Sequence, residues 1–166
     1  MRWKNAFAAA LAALVLGAPV AARACSCVKA DAGQIFREAD RIVIARMKAV
    51  HYQPAWIGEA RVLGDIEVLD TLKSTTGAPI TRIWTPSETS ACGLPLQAGQ
   101  VYLLVPDGPD GDQVDHCRSW ALGSGNPQRA ALTKALIDRR DERERQRAVR
   151  DRARAGEPAA SEAKKR

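Results

Sequence analysis

The sequence predicts a mainly β domain with one short N-terminal helix and a C-terminal helical tail. Three observations lead to this prediction. Five segments with β character follow one another between residues 42 and 122, turn signals separate them, and helical patterns lie before and after them. The length of 166 residues fits one such domain with a small appendage.

The N-terminal helix is expected over residues 31–40. Asp31 can cap its first turn, and Gln34 stands three residues later, which is a capping-box pattern. The apolar stripe that this helix would turn toward a core consists of Ile35, Phe36 and Ala39.

Five strands are expected to follow this helix. They span residues 42–51, 60–72, 80–85, 101–105 and 113–122. The second strand alternates apolar and polar side chains, with a bulge expected at Gly64, and the fourth is an apolar run typical of a strand buried on both faces. Residues 107–111 form a strong turn signal. Five strands are too few for an immunoglobulin-like sandwich but suit a small Greek-key barrel of the OB type.

The charged tail is predicted to be a helix over residues 127–155, docked on the barrel by its first turns. Pro127 suits the first helical position. The face that can pack on the barrel consists of Leu132, Ala135 and Leu136. This face ends at Ile137, beyond which most side chains are charged, so the rest is interpreted as a solvated helix. Residues 156–166 are interpreted as a disordered tail.

Residues 1–24 have the pattern of a secretory signal peptide. Arg2 and Lys4 give a positive start, an apolar run follows, and small residues precede Cys25 at the expected cleavage site. Cleavage there would leave Cys25 at the mature N-terminus of a secreted or periplasmic protein with no membrane span. A lipoprotein with an acylated Cys25 is the alternative, which Arg23 disfavours because such sites prefer small, uncharged residues.

The cysteines are predicted to form two disulfides, because an exported chain meets an oxidising compartment. Their positions are Cys25, Cys27, Cys92 and Cys117, and four cysteines allow three pairings. A bridge between Cys25 and Cys27 would close a tiny, strained ring, so each is expected to reach a distant partner. A zinc site is the rival interpretation, but the four cysteines lack the paired spacing of zinc ribbons.

The distribution of charge argues against binding to nucleic acid. The formal net charge is +6, but residues 25–126 hold nine basic and twelve acidic side chains, so the positive charge belongs to the two ends. An oligonucleotide-binding barrel needs basic residues beside stacking aromatic rings. Trp84 and Trp120 are therefore interpreted as core or rim packing.

The sequence favours a protein that is not an enzyme, without a cofactor or a metal of its own. His51 and His116 are the only histidines, and neither belongs to a cluster with ligand spacing. Ser90 lies in no nucleophile-elbow pattern. The aspartates of residues 107–112 are interpreted as a hairpin turn rather than a calcium loop.

Several motifs, in the same order along the chain, resemble those of a known family. They are Cys25-Ser26-Cys27, Phe36, Ala39-Asp40, the strand from Ile42 to Arg46, the stretch from Thr85 to Gly93, the strand from Gly99 to Val105, and Cys117. Residues 85–93 are the most specific piece, with Thr-Pro, a short acidic and hydroxyl-bearing stretch, and then Cys-Gly. Together these motifs resemble the N-terminal netrin-like domain of the tissue inhibitors of metalloproteinases.

The resemblance implies an OB-type barrel over residues 25–126, with disulfides Cys25–Cys92 and Cys27–Cys117. It also implies inhibition of a zinc metalloproteinase, in which the α-amine and carbonyl oxygen of Cys25 chelate the active-site zinc and displace its water. A catalytic zinc keeps an open position for such ligands, and an α-amine with a pKa of about 7.7–8.0 loses its proton easily. The residues expected to contact the protease are Ser26, Cys27, Val28, Glu88, Thr89, Ser90 and Ala91.

The alternative function is a non-catalytic protein-binding module of the cell envelope. In that interpretation Cys25 and Cys27 are purely structural, and their disulfides pin the N-terminal segment to the barrel. Both disulfides would close long loops, each stabilising by about 4 kcal/mol in the chain-entropy model. This stabilisation alone would account for both residues.

Overall fold

The fold is an antiparallel sheet of five strands with one short helix and one long helix. A computed structural model describes residues 25–27, 30–56, 59–88, 92–108 and 110–155. The elements in chain order are α1 (Ala32–Glu38), β1 (Arg41–Gln53), β2 (Arg61–Ser74), β3 (Arg82–Pro86), β4 (Val101–Leu104), β5 (Trp120–Ala121) and α2 (Pro127–Ala155). The spatial order of the strands is β3-β2-β1-β4-β5, and every neighbouring pair is antiparallel. The mainly β architecture predicted from the sequence is therefore confirmed.

Helix α1 begins with half of the predicted capping box. The Asp31 carboxylate accepts a hydrogen bond from the Gln34 N–H at 2.8 Å, as an N-cap residue should. The Gln34 side chain does not return this bond, because its amide donates to Glu38 at 3.0 Å instead. At the other end, the Lys73 ammonium donates to the Phe36 carbonyl at 2.8 Å, which satisfies a carbonyl that the helix leaves unpaired.

The long hairpin of β1 and β2 has three register shifts, and none of them is at the predicted residue, Gly64. Leu72 and Leu69 are extra residues in β2, at the register shifts that follow Ile42 and Ile44 of β1. Lys48 is the extra residue in β1, at the register shift between Met47 and Ala49. Gly64 in β2 pairs regularly with Val50. A Cβ atom on Gly64 would lie 2.5 Å from the Met47 sulfur, so glycine is needed here for packing and not for a bulge.

Two apolar clusters occupy the two faces of the sheet. The first joins the sheet to both helices and includes Ile42, Leu103, Trp120 and Leu136, and the second includes Met47, Ile83, Tyr102 and Leu104. Strand β4 contributes to both clusters, as predicted from its continuous apolar run.

Helix α2 packs on the sheet through the predicted apolar face and continues through arginine side chains. Leu136 is fully buried, and the Trp120 indole donates to the Thr133 hydroxyl at 3.0 Å. Beyond Ile137, Arg140 pairs with Asp70 of β2, and the Arg143 guanidinium lies 4.6 Å from the centre of the Phe36 ring. The docked part of the helix is therefore longer than its apolar face.

The fifth strand is much shorter than the predicted segment of residues 113–122. The Asp115 carboxylate accepts hydrogen bonds from the N–H groups of Cys117 and Arg118 at 2.8 and 2.9 Å. This side-chain bonding folds the middle of the segment into a turn. Regular strand pairing begins only at Trp120, and Gln113 forms two isolated bridges, one of them parallel to Trp84.

Regular strand pairing leaves β3 and β5 as the two edges, so the sheet is not closed into a barrel. Among the described residues, no helix is sufficiently long and apolar to span a lipid bilayer. The predicted signal peptide of residues 1–24 and the predicted tail of residues 156–166 lie outside the described residues.

Candidate functional site

Two disulfides fix the N-terminal segment, residues 25–27, to the body of the domain. Cys25 is bonded to Cys92 and Cys27 to Cys117, with Cα–Cα separations of 5.2 Å in both pairs. The prediction of two disulfides is thus confirmed, and the pairing is the one that the family resemblance implied. The bridges span 67 and 90 residues in sequence, so each stabilises the fold by about 4 kcal/mol in the chain-entropy model.

Cys92 receives the first disulfide from a sharp corner of the backbone. Its φ of +65° makes it the one non-glycine residue in the left-handed region among the described parts of the chain. The N–H of Gly93 donates to the Glu88 carbonyl at 3.0 Å, which ties this corner to the end of the segment after β3. A Cβ atom on Gly93 would lie 2.2 Å from the Pro86 carbonyl oxygen, so only glycine fits at this corner.

Strand β3 anchors this corner, and we call residues 86–88 and 92–93 the rim. The buried Thr85 hydroxyl accepts the Leu94 N–H at 2.7 Å, and the Ser87 N–H donates to the Ala60 carbonyl at 3.0 Å. These bonds tie the rim to β3 on one side and to the start of β2 on the other. The Cys25–Cys92 disulfide then links the rim to the N-terminal segment.

Only some of the residues that were predicted to contact a protease lie in the described part of the chain. Cys25 is partly buried, whereas Ser26 and Cys27 are exposed, and Glu88 is exposed on the rim. Ser26 therefore stands at the surface between two disulfide-anchored neighbours. Val28, Thr89, Ser90 and Ala91 lie outside the described residues.

His116 lies beside the disulfides, although sequence reasoning had set it apart from any ligand cluster. Its ring nitrogen and the sulfurs of Cys25, Cys27 and Cys117 all lie within 4.8 Å of one another. The Cys25 and Cys117 sulfurs, which belong to different disulfides, are 3.7 Å apart. The sequence does show that His116 and Cys117 are adjacent. This adjacency becomes informative only when the disulfides bring residues 25–27 to the same place.

Two of the aspartates in residues 107–112, Asp107 and Asp112, bind other protein groups. Asp107 pairs with the Arg118 guanidinium, whose hydrogen bond lowers the pKa of the Asp107 carboxyl below its ordinary value. The Asp112 carboxylate accepts the Trp84 indole N–H at 2.9 Å. An antiparallel bridge between Asp107 and Gln113 closes the turn that the sequence predicts here. The side chains of Asp107 and Asp112 line an open cleft of about 700 Å³.

The tryptophans differ widely in their surroundings. Trp120 is buried, and Trp84 is partly buried under the Arg61 guanidinium, which lies 3.9 Å from the ring centre. Both therefore pack as the sequence predicted. Trp56, in the loop of the β1–β2 hairpin, is 93% exposed, and Tyr52 near the same end is 66% exposed. Exposed aromatic side chains of this size are candidates for contact with a partner.

Comparison with known proteins assigns no family to the chain. No protein-family model matches it, and no curated protein matches it in sequence. The resemblance to the metalloproteinase inhibitors therefore stays a prediction, and the function has to be argued from the geometry of the N-terminal segment and the rim.

Proposed function

We propose that the protein is a secreted or periplasmic inhibitor of a zinc metalloendopeptidase. The reactive groups are the α-amine and the carbonyl oxygen of Cys25, which become available after removal of residues 1–24. The observation that carries the proposal is the double anchoring of residues 25–27, which holds Ser26 exposed between two disulfides. A short segment fixed in this way is organised before it meets a partner.

The chemistry follows from the coordination of a catalytic zinc. Such a zinc has three protein ligands and a fourth position that holds water or substrate. An α-amine and the carbonyl of the same residue form a five-membered chelate ring, which would replace that water. Because both atoms belong to the backbone of Cys25, the disulfide to Cys92 limits their motion and lowers the entropy lost on binding.

The proposal also assigns the surface that surrounds the chelating residue. The side chain of Ser26 enters the protease pocket next to the zinc, and Cys27 and Val28 follow along the cleft. The segment from Glu88 to Ala91 contacts the protease beside them. The exposure of Ser26 and Glu88 and the covalent link between the two segments support this assignment.

An OB-type barrel over residues 25–126 is part of the same proposal. The Trp84 N–H donates to the Asp112 carbonyl at 2.9 Å, and the Val114 N–H donates to the Trp84 carbonyl at 2.8 Å. This short parallel contact lies along β3, on the side where a longer fifth strand would close the sheet. It supports a Greek-key barrel whose closing strand is interrupted by the turn at Asp115.

The experiment compares the exported protein with a variant that carries one additional alanine before Cys25. The extra residue converts the α-amine into an amide, whose nitrogen is a far poorer zinc ligand. We expect the exported protein to inhibit at least one member of a panel of zinc metallopeptidases, and the extended variant to inhibit none. Mass spectrometry of the N-terminus and non-reducing peptide mapping serve as controls that Cys25 is free at its amine and that both disulfides have formed.

Two results would contradict the proposal: no inhibition by the correctly processed protein, or equal inhibition by the extended variant. Either would favour the second candidate, a non-catalytic protein-binding module of the envelope. The specific observation in favour of that candidate is the exposure of Trp56 and Tyr52, which offers a contact surface on the β1–β2 hairpin that needs no zinc.

A further inference from the structure

Part of strand β1 has a backbone edge that no described strand covers. On the side away from β2, strand β4 pairs with β1 only from Val43 to Arg46. The last backbone hydrogen bonds on this side are those of Met47, which donates to the Gln100 carbonyl at 2.9 Å and accepts the Gly99 N–H at 2.7 Å. Residues 49–53 continue beyond this point and, among the described elements, pair with β2 alone.

The hydrogen bonds of β2 show which backbone groups of β1 point toward this open edge. The Ile66 N–H donates to the Thr81 carbonyl at 2.9 Å, so the even-numbered residues in this part of β2 bond toward β3. Alternate residues of a strand bond to opposite neighbours, so the odd-numbered residues of β2 bond to β1. Their partners are residues 49, 51 and 53. The N–H and C=O groups of Val50 and Tyr52 consequently point toward the open edge.

The open stretch is bounded at both ends and is centred on His51. Lys48, the extra residue of β1, precedes it, and Pro54, which has no N–H to donate, follows it. The side chains of Val50 and Tyr52 lie on the same face of the sheet, because they are two residues apart. Val50 packs against the second apolar cluster, whereas Tyr52 is 66% exposed.

We propose that two copies of the chain form a twofold-symmetric dimer in which this edge of β1 pairs with the same edge of the second copy. An antiparallel pairing centred on His51 places Val50 opposite Tyr52 of the second copy, and each such pair exchanges two N–H···O bonds. It also sets an aromatic ring against a β-branched side chain twice, which is a favourable cross-strand pair. Because the open stretch is symmetric about His51, this register alone uses all of it in both copies. Strand β2 separates β1 from the rim, so the proposal does not depend on the inhibitory function of Cys25.

The exposed side chain of Trp56 adds to this interface. Trp56 is 93% exposed and follows the end of β1 by three residues. In the proposed register, the end of one β1 meets the turn at residues 97–100 of the other copy, where the ring can pack. Five paired residues and this ring form a small interface, and small interfaces are usually weak and transient. The dimer should therefore form reversibly as the concentration rises.

The first experiment follows the molecular mass of the exported protein, with both disulfides intact, by analytical ultracentrifugation at about 1 μM to 1 mM. We expect the mass to rise reversibly from that of one chain toward that of two. Tyr52→Lys should weaken the dimer by about tenfold, because each dimer contains two pairs of Tyr52 with Val50. Val149→Lys is the matched control, since Val149 of α2 is 65% exposed and lies outside the interface, and it should leave the dimer unchanged.

The second experiment tests the register by cross-linking. The two His51 residues would form a non-hydrogen-bonded pair with Cα atoms about 4.5 Å apart, which is within the range of a disulfide. His51→Cys should therefore give a disulfide-linked dimer when oxidised glutathione is added as the two-electron oxidant. Gln53→Cys is the matched control, because Gln53 is also exposed but the two copies of residue 53 would be about 14 Å apart along the strands. Non-reducing peptide mapping checks that the two native disulfides are unchanged.

Three results would overturn the proposal. A chain that stays monomeric at every concentration would leave this edge to an extended segment of a different protein. A dimer that Tyr52→Lys does not weaken would have its contact elsewhere on the surface. Failure of His51→Cys to cross-link, or equal cross-linking of His51→Cys and Gln53→Cys, would exclude the pairing centred on His51.

Discussion

Replacing Gly93 with alanine would place a methyl group where the backbone of the rim already lies. The new Cβ atom would be 2.2 Å from the Pro86 carbonyl oxygen and 2.8 Å from that of Glu88. Overpacking of a tight site costs about 1–3 kcal/mol, and here the opposing atoms are backbone, which cannot rotate away. Loss of the hydrogen bond from the Gly93 N–H to Glu88 adds about 1 kcal/mol. We expect Gly93→Ala to lower the free energy of unfolding by about 3 kcal/mol.

Gly77→Ala is the matched control for this substitution. No atom lies within 4 Å of a Cβ built on Gly77, and its φ is not in the left-handed region, so alanine there should be neutral or stabilise by about 0.4–1 kcal/mol. Urea unfolding of both variants with their disulfides intact measures the difference. The reasoning would be refuted if Gly93→Ala unfolded within about 1 kcal/mol of Gly77→Ala. If Cys25 is the inhibitory residue, Gly93→Ala should also weaken inhibition, since it displaces the partner of the Cys25 disulfide.

Two further predictions concern the packing of α2 and the response to acid. Leu136 is fully buried, so Leu136→Ala should lower the free energy of unfolding by about 3 kcal/mol in urea unfolding. Leu69 is a half-exposed residue of β2, so Leu69→Ala should cost well under half as much in the same experiment. Arg118 lowers the pKa of Asp107 below 3.8, so this pair stabilises the fold above that pH and the contribution is lost as the pH falls through the lowered pKa. Asp107→Asn should therefore reduce the free energy of unfolding by only about 0.5 kcal/mol at neutral pH, because the ion pair is partly solvated. At strongly acid pH, unfolding measurements should give the same stability for the natural protein and the variant.

The elements that local patterns encode were predictable from the sequence. The Asp31 cap and the apolar stripe of α1 depend on residues within one or two turns, and the apolar run of β4 reports burial on both faces. The hairpin register was less accessible, because the extra residues are Leu72, Leu69 and Lys48, none of which the sequence marks. Gly64 is in a regular pair, where the Met47 sulfur leaves no room for a side chain. Period-2 patterns report which face is buried but not where an extra residue is inserted.

The predictions that were incomplete depended on contacts between distant residues. Residues 113–122 have strand propensity, but the Asp115 carboxylate bonds to two following N–H groups and folds the segment into a turn. Arg143 extends the docked part of α2 because its guanidinium lies over the Phe36 ring. The sequence did not indicate this contact, because Arg143 is one of many arginines in a charged segment. His116 likewise gained chemical neighbours only through disulfides that span 67 and 90 residues.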